Sequence, residues 1–220
     1  YLDAVVAVED HRFEQHLGID LIAIGRAAWN NLTSWSLREG GSTITQQVIK
    51  NNLLSQKQSF GRKLTEVLLA PALEQKYNKA DIMEFYCNSN FYGNRCYGVE
   101  TASKFYFGCS AKDVTLGQAA MLCGISNSPN NYNPIASMKL AKEKQLQVLN
   151  NMLEQGYITK KQFNKAKNEE ITIVGLDTSS SSENYMMSYA IDRAAIQLMK
   201  EHGFKFQYNF SSKKEQDTYN

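Results

Sequence analysis

Apolar positions recur at helical spacing along most of the chain, and this pattern predicts a mainly α fold. Leu21, Ile24 and Ala28 follow Asp20, a residue type that favours the N-cap position, so a helix is expected to begin there. Three other helix starts carry the Thr-x-x-Gln spacing of a capping box. They are the pairs Thr43 with Gln46, Thr115 with Gln118, and Thr159 with Gln162.

Three further segments predict helices, namely 59–77, 79–88 and 135–156. Pro71 lies inside the first of them, so a kink or break is expected near Ala70. Gly156 is expected to end the last one as its C-cap. The segment "EEITIV" at 169–174 is the only good strand candidate, and "GLDTSSSSE" after it is typical of a flexible linker.

The size of the chain, 220 residues, fits one domain or one domain with an appendage, and 43% apolar residues can form a substantial core. A net charge of +2 does not suggest a nucleic-acid partner. The apolar runs are too short to span a membrane. Because the chain starts at Tyr1 and is apolar at once, we expect a fragment of a longer protein whose N-terminal anchor or signal has been removed.

The cysteines have spacings that fit no zinc or redox motif; they are Cys87, Cys96, Cys109 and Cys123. We interpret them as free, partly buried thiols. A Cys87–Cys96 bridge is the alternative if the domain is extracytoplasmic. His11 and His16 are five positions apart, whereas helical metal ligands are more naturally four apart. We therefore interpret His16 as a structural hydrogen-bonding residue and predict no metal site.

The segment "GGSTITQQ" at 40–47 is too polar for a core, because each buried hydroxyl or amide needs a partner. Upstream, Glu9 and Asp10 follow the apolar run "VVAV". A carboxylate at the edge of an apolar wall suits a general base, although a helix-terminal charge pair in water has the same pattern.

Basic residues outnumber acids between positions 38 and 63; they are Arg38, Lys50, Lys57, Arg62 and Lys63. With two helix N-termini nearby they favour an anion site, most naturally for phosphate, and a solvated basic face is the alternative. Glu66 follows Arg62 by four positions, which is also the spacing of a simple helical ion pair. Two carboxylates beside a phosphate site indicate sugar transfer from a phosphate-activated donor.

Six segments together resemble the peptidoglycan glycosyltransferase domain, glycosyltransferase family fifty-one, of class A penicillin-binding proteins and monofunctional transglycosylases. They are "EDHRFEQHLGID", "GGSTITQQVIKN", "RKLTE", "DIMEFYCNSNFYG", "YGVETASKFYFG" and "TLGQAAMLCGISNSPNNYNP", in the order expected for the family. The resemblance covers about residues 4 to 170. It departs from the family pattern at Gln58, where many relatives carry Arg, and at Cys87, where Leu is usual.

The resemblance implies a lysozyme-like helical fold with a larger head lobe and a smaller, membrane-proximal jaw lobe. It implies a glycosyltransferase domain over 1–174, followed by a linker over 175–220 leading toward a transpeptidase domain. Glu9 would be the general base and Glu66 the second catalytic carboxylate, which orients cations or helps to hold a divalent ion. The implied substrate-binding residues are Asp10, Ser42, Thr43, Gln46, Gln47, Lys50, Arg62, Lys63 and Asn88.

The implied reaction polymerises lipid II into β-1,4 glycan with inversion and release of undecaprenyl pyrophosphate. No cofactor would be required, although Mg²⁺ or Mn²⁺ at the pyrophosphate is possible. The partners would be the lipid II donor, the glycan acceptor, other cell-wall synthesis proteins and the extracytoplasmic membrane surface. Trp29 and Trp35, in an apolar stretch, are candidates for membrane contact, and ordinary core positions are the alternative. A muramidase or lytic transglycosylase and a non-enzymatic binding module are the competing functions.

Overall fold

The computed structural model describes residues 1–34, 41–53 and 60–175, and these form one compact unit. Within these ranges the fold is mainly α, as predicted, with a short 3₁₀ turn at Phe13–Gln15 and no strand. The helices are α1 (Leu2–Glu9), α2 (Leu21–Ser34), α3 (Ile44–Leu53), α4 (Phe60–Lys76), α5 (Lys79–Ser89), α6 (Val99–Phe107), α7 (Leu116–Asn127), α8 (Met138–Glu154) and α9 (Lys160–Lys167).

The helix starts follow the predicted caps. Asp20 accepts hydrogen bonds at Oδ1 from the amides of Ile22 and Ala23, both at 2.9 Å, and so begins α2. The capping boxes predicted at the starts of α3, α7 and α9 are all present. At the other end of α8, Gly156 has φ +78, a left-handed conformation just beyond the helix that glycine adopts without strain.

Two adjoining clusters of buried side chains make the core. The first joins α1, α5, α7 and α8 around fully buried residues such as Val5, Ile82 and Leu149. The second lies between α6, α7 and the loop at 91–98, around Tyr92, Tyr106 and Leu122. Helix α7 contributes to both clusters and is buried almost all round, which explains why it carries no polar face.

Neither a helix break at Pro71 nor a strand at 169–174 is present in the described residues. Helix α4 continues through Pro71 without a break. Gly18 packs directly on this segment, where an added Cβ would lie 2.5 Å from the carbonyl carbon of Ala70, so tertiary contact supports the turn that contains the proline. The segment 169–174 forms no strand, because no partner strand lies beside it in the described part of the chain. Its alternation still buries Ile171 and exposes Val174.

All four cysteines are free thiols, so the Cys87–Cys96 bridge does not form. Burial raises the pKa of the Cys87 thiol to about 11 and that of Cys123 further still. Raised thiol pKa values make both residues poor nucleophiles near neutral pH. They pack as small apolar residues in the first core cluster.

The apolar side chains of α2 and α4 remain largely exposed. Leu21 and Trp29 on α2 are 77% and 68% exposed, and Leu68 on α4 is 67% exposed. Trp35 lies outside the described residues. Within the described ranges, none of the helices has the length and hydropathy needed to cross a bilayer.

Candidate active site

A polar cleft of about 1350 Å³ is bounded by the C-terminal ends of α1 and α7, by α3, by α8 and by the loop after α5. Its lining includes the predicted residues Glu9, Ser42, Gln47 and Lys50. It also includes side chains that sequence reasoning did not select, such as Arg26, Asn51, Asn90, Phe91, Tyr97, Asn127, Lys144 and Asn151.

Glu9 is the last residue of α1 and is held in the cleft wall by two amides. Gln47 Nε2 donates to Glu9 Oε2 at 2.8 Å, and Asn127 Nδ2 donates to Glu9 Oε1 at 3.0 Å. The two donors come from different helices, so they fix the carboxylate from two directions. An ionised carboxylate has about four acceptor positions, so Glu9 can still accept a proton from a ligand.

Asp10 borders a small pocket of about 60 Å³ that shares Glu9 and Ser42 with the cleft, and its carboxylate is held by the protein. Its carboxylate accepts from His16 Nε2 at 2.9 Å and from the Ile44 amide, at the start of α3, at 3.0 Å. The Gly18 amide donates to His16 Nδ1, so Nε2 carries the ring proton. The prediction that His16 is a structural hydrogen-bonding residue is confirmed. Asp10 thus ties the loop after α1 to the N-terminus of α3, and its role in substrate binding stays a prediction.

Thr43 and Gln46 are also used internally. Thr43 Oγ1 donates to the Gly18 carbonyl at 2.7 Å, and the Thr43 amide donates to Gln46 Oε1 at 3.0 Å. Both residues are at most 2% exposed. They form the helix start that precedes Gln47, and Thr43 also borders the small pocket beside Glu9. The substrate-binding roles of Thr43 and Gln46 stay predictions.

Two members of the predicted basic group, Arg62 and Lys63, contact Glu66 on α4. Lys63 Nζ donates to Glu66 Oε2 at 2.8 Å and to Ser42 Oγ at 2.7 Å, while Arg62 Nε lies 3.5 Å from Glu66 Oε1. Glu66 is 3% exposed. Since Ser42 lines the cleft, Glu66 lies two contacts behind the cleft wall, through Lys63, with a cation at each of its oxygens.

Lys50 and Asn88 have opposite outcomes. Lys50, in the last turn of α3, lines the cleft as predicted. Asn88 is exposed on α5 and lies outside the cleft, whereas Asn90, two residues later, lines the cleft. Asn51 Nδ2 donates to Asn90 Oδ1 at 2.8 Å, which links α3 to the loop after α5.

Three other positions that the sequence analysis singled out lie outside the described residues. They are Arg38, Lys57 and the variant position Gln58. In the described ranges, His, Cys, Asp and Glu side chains form no group of three or more suited to a metal ion. Both Glu66 oxygens already contact cations, which fits a role in orienting those cations better than a role as metal ligand.

Comparison with known proteins identifies the family. A family model described as Transglycosylase matches residues 1–153, well over half of the chain. The chain belongs to the transglycosylase family. This transglycosylase domain contains all the family motifs described above, and the resemblance inferred from them is confirmed.

Similar proteins are larger than this chain. Penicillin-binding protein 1A of Neisseria gonorrhoeae is 47% identical over 169 residues, or 77% of this chain and 21% of the relative. That of Vibrio cholerae is 41% identical over 170 residues, with the same shares. The crystal structure of penicillin-binding protein 1A from Haemophilus influenzae matches with a TM-score of 0.46 and 26% identity, covering 69% of this chain and 19% of that chain. The transglycosylase domain thus spans about a fifth of their length.

Proposed function

We propose that this domain polymerises lipid II, transferring the N-acetylmuramic acid end of the lipid-linked donor to the 4-hydroxyl of the acceptor's N-acetylglucosamine. The observation that carries the proposal is Glu9, held by two amides in the wall of a cleft that also contains Lys50 and Ser42. A positioned carboxylate beside a basic surface suits transfer from a pyrophosphate-linked sugar.

Glu9 acts as the general base. It takes the proton of the acceptor 4-hydroxyl as that oxygen attacks the anomeric carbon of the donor N-acetylmuramic acid. The bond from that carbon to the pyrophosphate breaks, and undecaprenyl pyrophosphate leaves with the electron pair. Attack opposite the leaving group inverts the configuration and gives a β-1,4 link. Gln47 and Asn127 keep the carboxylate aimed at the acceptor oxygen.

Cationic side chains stabilise the departing pyrophosphate. Lys50 lies in the cleft, and Lys63 reaches its wall through Ser42. Glu66 holds Lys63 and Arg62 in place, so their charges need little reorganisation when the leaving group forms. A divalent cation is not needed for this step, because lysine and arginine neutralise phosphate charge directly.

The exposed apolar faces of α2 and α4 contact the outer surface of the cell membrane. Leu21, Trp29 and Leu68 are each more than half exposed, which is unfavourable in water and favourable at a lipid interface. The substrate carries a polyprenyl chain, so this surface places the cleft next to the bilayer. The domain acts on the extracytoplasmic side, because lipid II is used there together with other cell-wall synthesis proteins.

Glycan cleavage fits the site less well. A muramidase or lytic transglycosylase needs an acid that protonates the leaving sugar oxygen. Both oxygens of Glu66 already contact cations of α4, so this carboxyl is not directed at the oxygen of a leaving sugar.

A gel assay tests the proposal. The chain is incubated in detergent with labelled lipid II, with and without moenomycin, an inhibitor of the family. A moenomycin-sensitive polymer ladder is the expected result. Saturable moenomycin binding without any ladder, at substrate concentrations that support a known polymerase, would contradict polymerisation by this chain.

A further inference from the structure

The loop between α5 and α6 presents two aromatic rings to the cleft. Tyr97 is 64% exposed and Phe91 is 37% exposed, and both line the cleft that contains Glu9. Their ring centroids are 4.9 Å apart with an interplanar angle of 39°. Exposed aromatic surface in a cleft is costly in water, so a ligand that covers it gains free energy.

The loop that carries these rings is rigid. Phe91 and Tyr97 pair in an antiparallel bridge, and between them the Tyr92 amide donates to the Cys96 carbonyl at 2.9 Å. Tyr106 Oη donates to the Tyr92 carbonyl at 2.7 Å from beneath. Gly98 has φ +82 and leaves no room for a side chain, because an added Cβ would lie 3.0 Å from the Asn88 carbonyl oxygen.

The backbone of this loop buries some of its side chains and exposes others. Tyr92 is fully buried and Cys96 is 3% exposed, so the loop places its other apolar residues in the second core cluster. Phe91 and Tyr97 are left outside by the same backbone. Their exposure is therefore fixed by the fold and costs little conformational entropy when a ligand covers them.

The position of the rings indicates the ligand. Asn90, directly before Phe91, is tied to Asn51 on α3, and Gly93 lies beside Pro129, two residues after the Glu9 partner Asn127. The pair thus lies on a wall continuous with both sides of the general base. The ligand that passes Glu9 is a glycan, and the C–H-bearing face of a pyranose ring packs well against an aromatic ring.

We propose that Phe91 and Tyr97 form a stacking platform that binds an N-acetylated sugar ring of the glycan beside Glu9. This inference rests on the proposed function for the identity of the sugar. Tyr97, as the more exposed ring, supplies most of the contact, and Phe91 supports it from the side. The platform positions the strand and takes no part in proton transfer.

Direct binding tests the platform without turnover. The probe is a soluble tetrasaccharide of alternating N-acetylglucosamine and N-acetylmuramic acid, titrated into the full chain by calorimetry. Tyr97→Ala is expected to weaken binding about tenfold, equivalent to about 1.4 kcal/mol. Tyr97→Phe keeps the ring and should bind within about twofold of wild type. Tyr157→Ala removes an exposed tyrosine away from the cleft and should change nothing.

Each outcome decides the matter. Wild-type affinity in Tyr97→Ala, or a wild type that does not bind the tetrasaccharide, would overturn the platform. If Tyr97→Ala does not fold, as judged by circular dichroism, Phe91→Leu replaces it and should weaken binding severalfold. Ring-dependent binding without any polymer ladder would retain the platform and remove the polymerase. A normal ladder with ring-independent binding would retain the polymerase and overturn the platform.

Discussion

The helices around α7 and the pair α2 and α4 use apolar residues in opposite ways. In α7 every residue from Ala119 to Ile125 is buried between neighbouring helices. On α2 and α4 comparable leucines are exposed, with Leu21 at 77% and Leu68 at 67%. Both regions show helical apolar spacing in the sequence, so the pattern predicts helices without predicting what covers them.

The difference divides the work of the domain. The packed region fixes Glu9 and Asn127 at the ends of α1 and α7, where small movements would change the geometry of the proposed base. The exposed region carries Arg62 and Lys63 on α4, and we propose that its apolar side contacts the membrane. Helix α3 packs against both α4 and α5 and so joins the two regions.

The largest expected effect is on folding. Leu149→Ala in the packed region should lower the free energy of unfolding by about 2–5 kcal/mol, because it leaves a cavity. Leu68→Ala in the exposed region should change it by less than about 0.5 kcal/mol. Urea unfolding followed by circular dichroism measures both. Equal losses in the two variants would show that Leu68 is covered within the protein.

Membrane association should show the reverse contrast. Trp29→Ser combined with Leu68→Ser should weaken binding to phosphatidylglycerol vesicles at least about tenfold, since each buried side chain contributes about 1.5–3 kcal/mol. Leu140→Ser removes an exposed leucine from α8 and serves as the matched control. Sedimentation with vesicles gives the affinities. Equal losses of vesicle affinity in the control and in the double variant would show that the exposed faces of α2 and α4 are not the membrane-binding surface.

Donor binding should depend on the helix that joins the regions. Lys50→Ala should raise the KM for lipid II about tenfold or more, because a charge-assisted phosphate contact contributes about 1.5–3 kcal/mol. Lys161→Ala, on an exposed face of α9, should leave KM unchanged. Steady-state kinetics in detergent measures both. An unchanged KM in Lys50→Ala would assign Lys50 to a solvated basic face.

The smallest effect concerns the start of α2. Burial raises the pKa of Asp20, but hydrogen bonds from the Ala23 and Ile22 amides and the charge of Arg12 outweigh it and hold the value below 3.8. A lowered pKa stabilises the fold above the ordinary value, and that contribution is lost as pH falls through the folded value. Asp20→Asn keeps a good cap but loses the ion pair with Arg12, about 1 kcal/mol or less.

The pH series distinguishes the ion pair from the cap. The stability difference between wild type and Asp20→Asn should be present near about pH 7 and shrink as the pH approaches about 2. Urea unfolding across this range provides the measurement. A difference that stays constant with pH would assign the effect to capping geometry alone.

Local features of this domain could be predicted from sequence, because they depend on residues close together in the chain. The capping box of Thr43 and Gln46, and the ion pairs of Glu66 with Arg62 and Lys63, each span three or four positions. Glu9 could be selected for its position after an apolar run. Its partner Asn127 could not, because 118 positions separate them and only the packing of α7 against α1 brings them together.

Sequence could not show which polar side chains are held by the protein itself. Asp10 and Thr43 have the composition of ligand-binding residues, yet their partners are an imidazole, a backbone amide and a carbonyl of the same chain. Sequence shows that such groups need partners and does not show whether the partner is protein or ligand. Asn88 lies on α5 outside the cleft. Helix α5 ends at Ser89, and Asn90, just beyond this end, lines the cleft.

The most direct test of the central claim is the polymerisation rate of Glu9→Gln. The change is nearly isosteric. The new amide oxygen can still accept from one of Gln47 and Asn127, and a flip of the other partner's amide lets the new NH₂ group donate to its oxygen, so folding and moenomycin binding should be preserved. Glu14→Gln, an exposed glutamate on the 3₁₀ turn, is the control and should give a normal ladder. We predict loss of polymer in Glu9→Gln by a factor of at least about 10². Wild-type turnover in a folded, moenomycin-binding Glu9→Gln variant would contradict the assignment of Glu9 as the base.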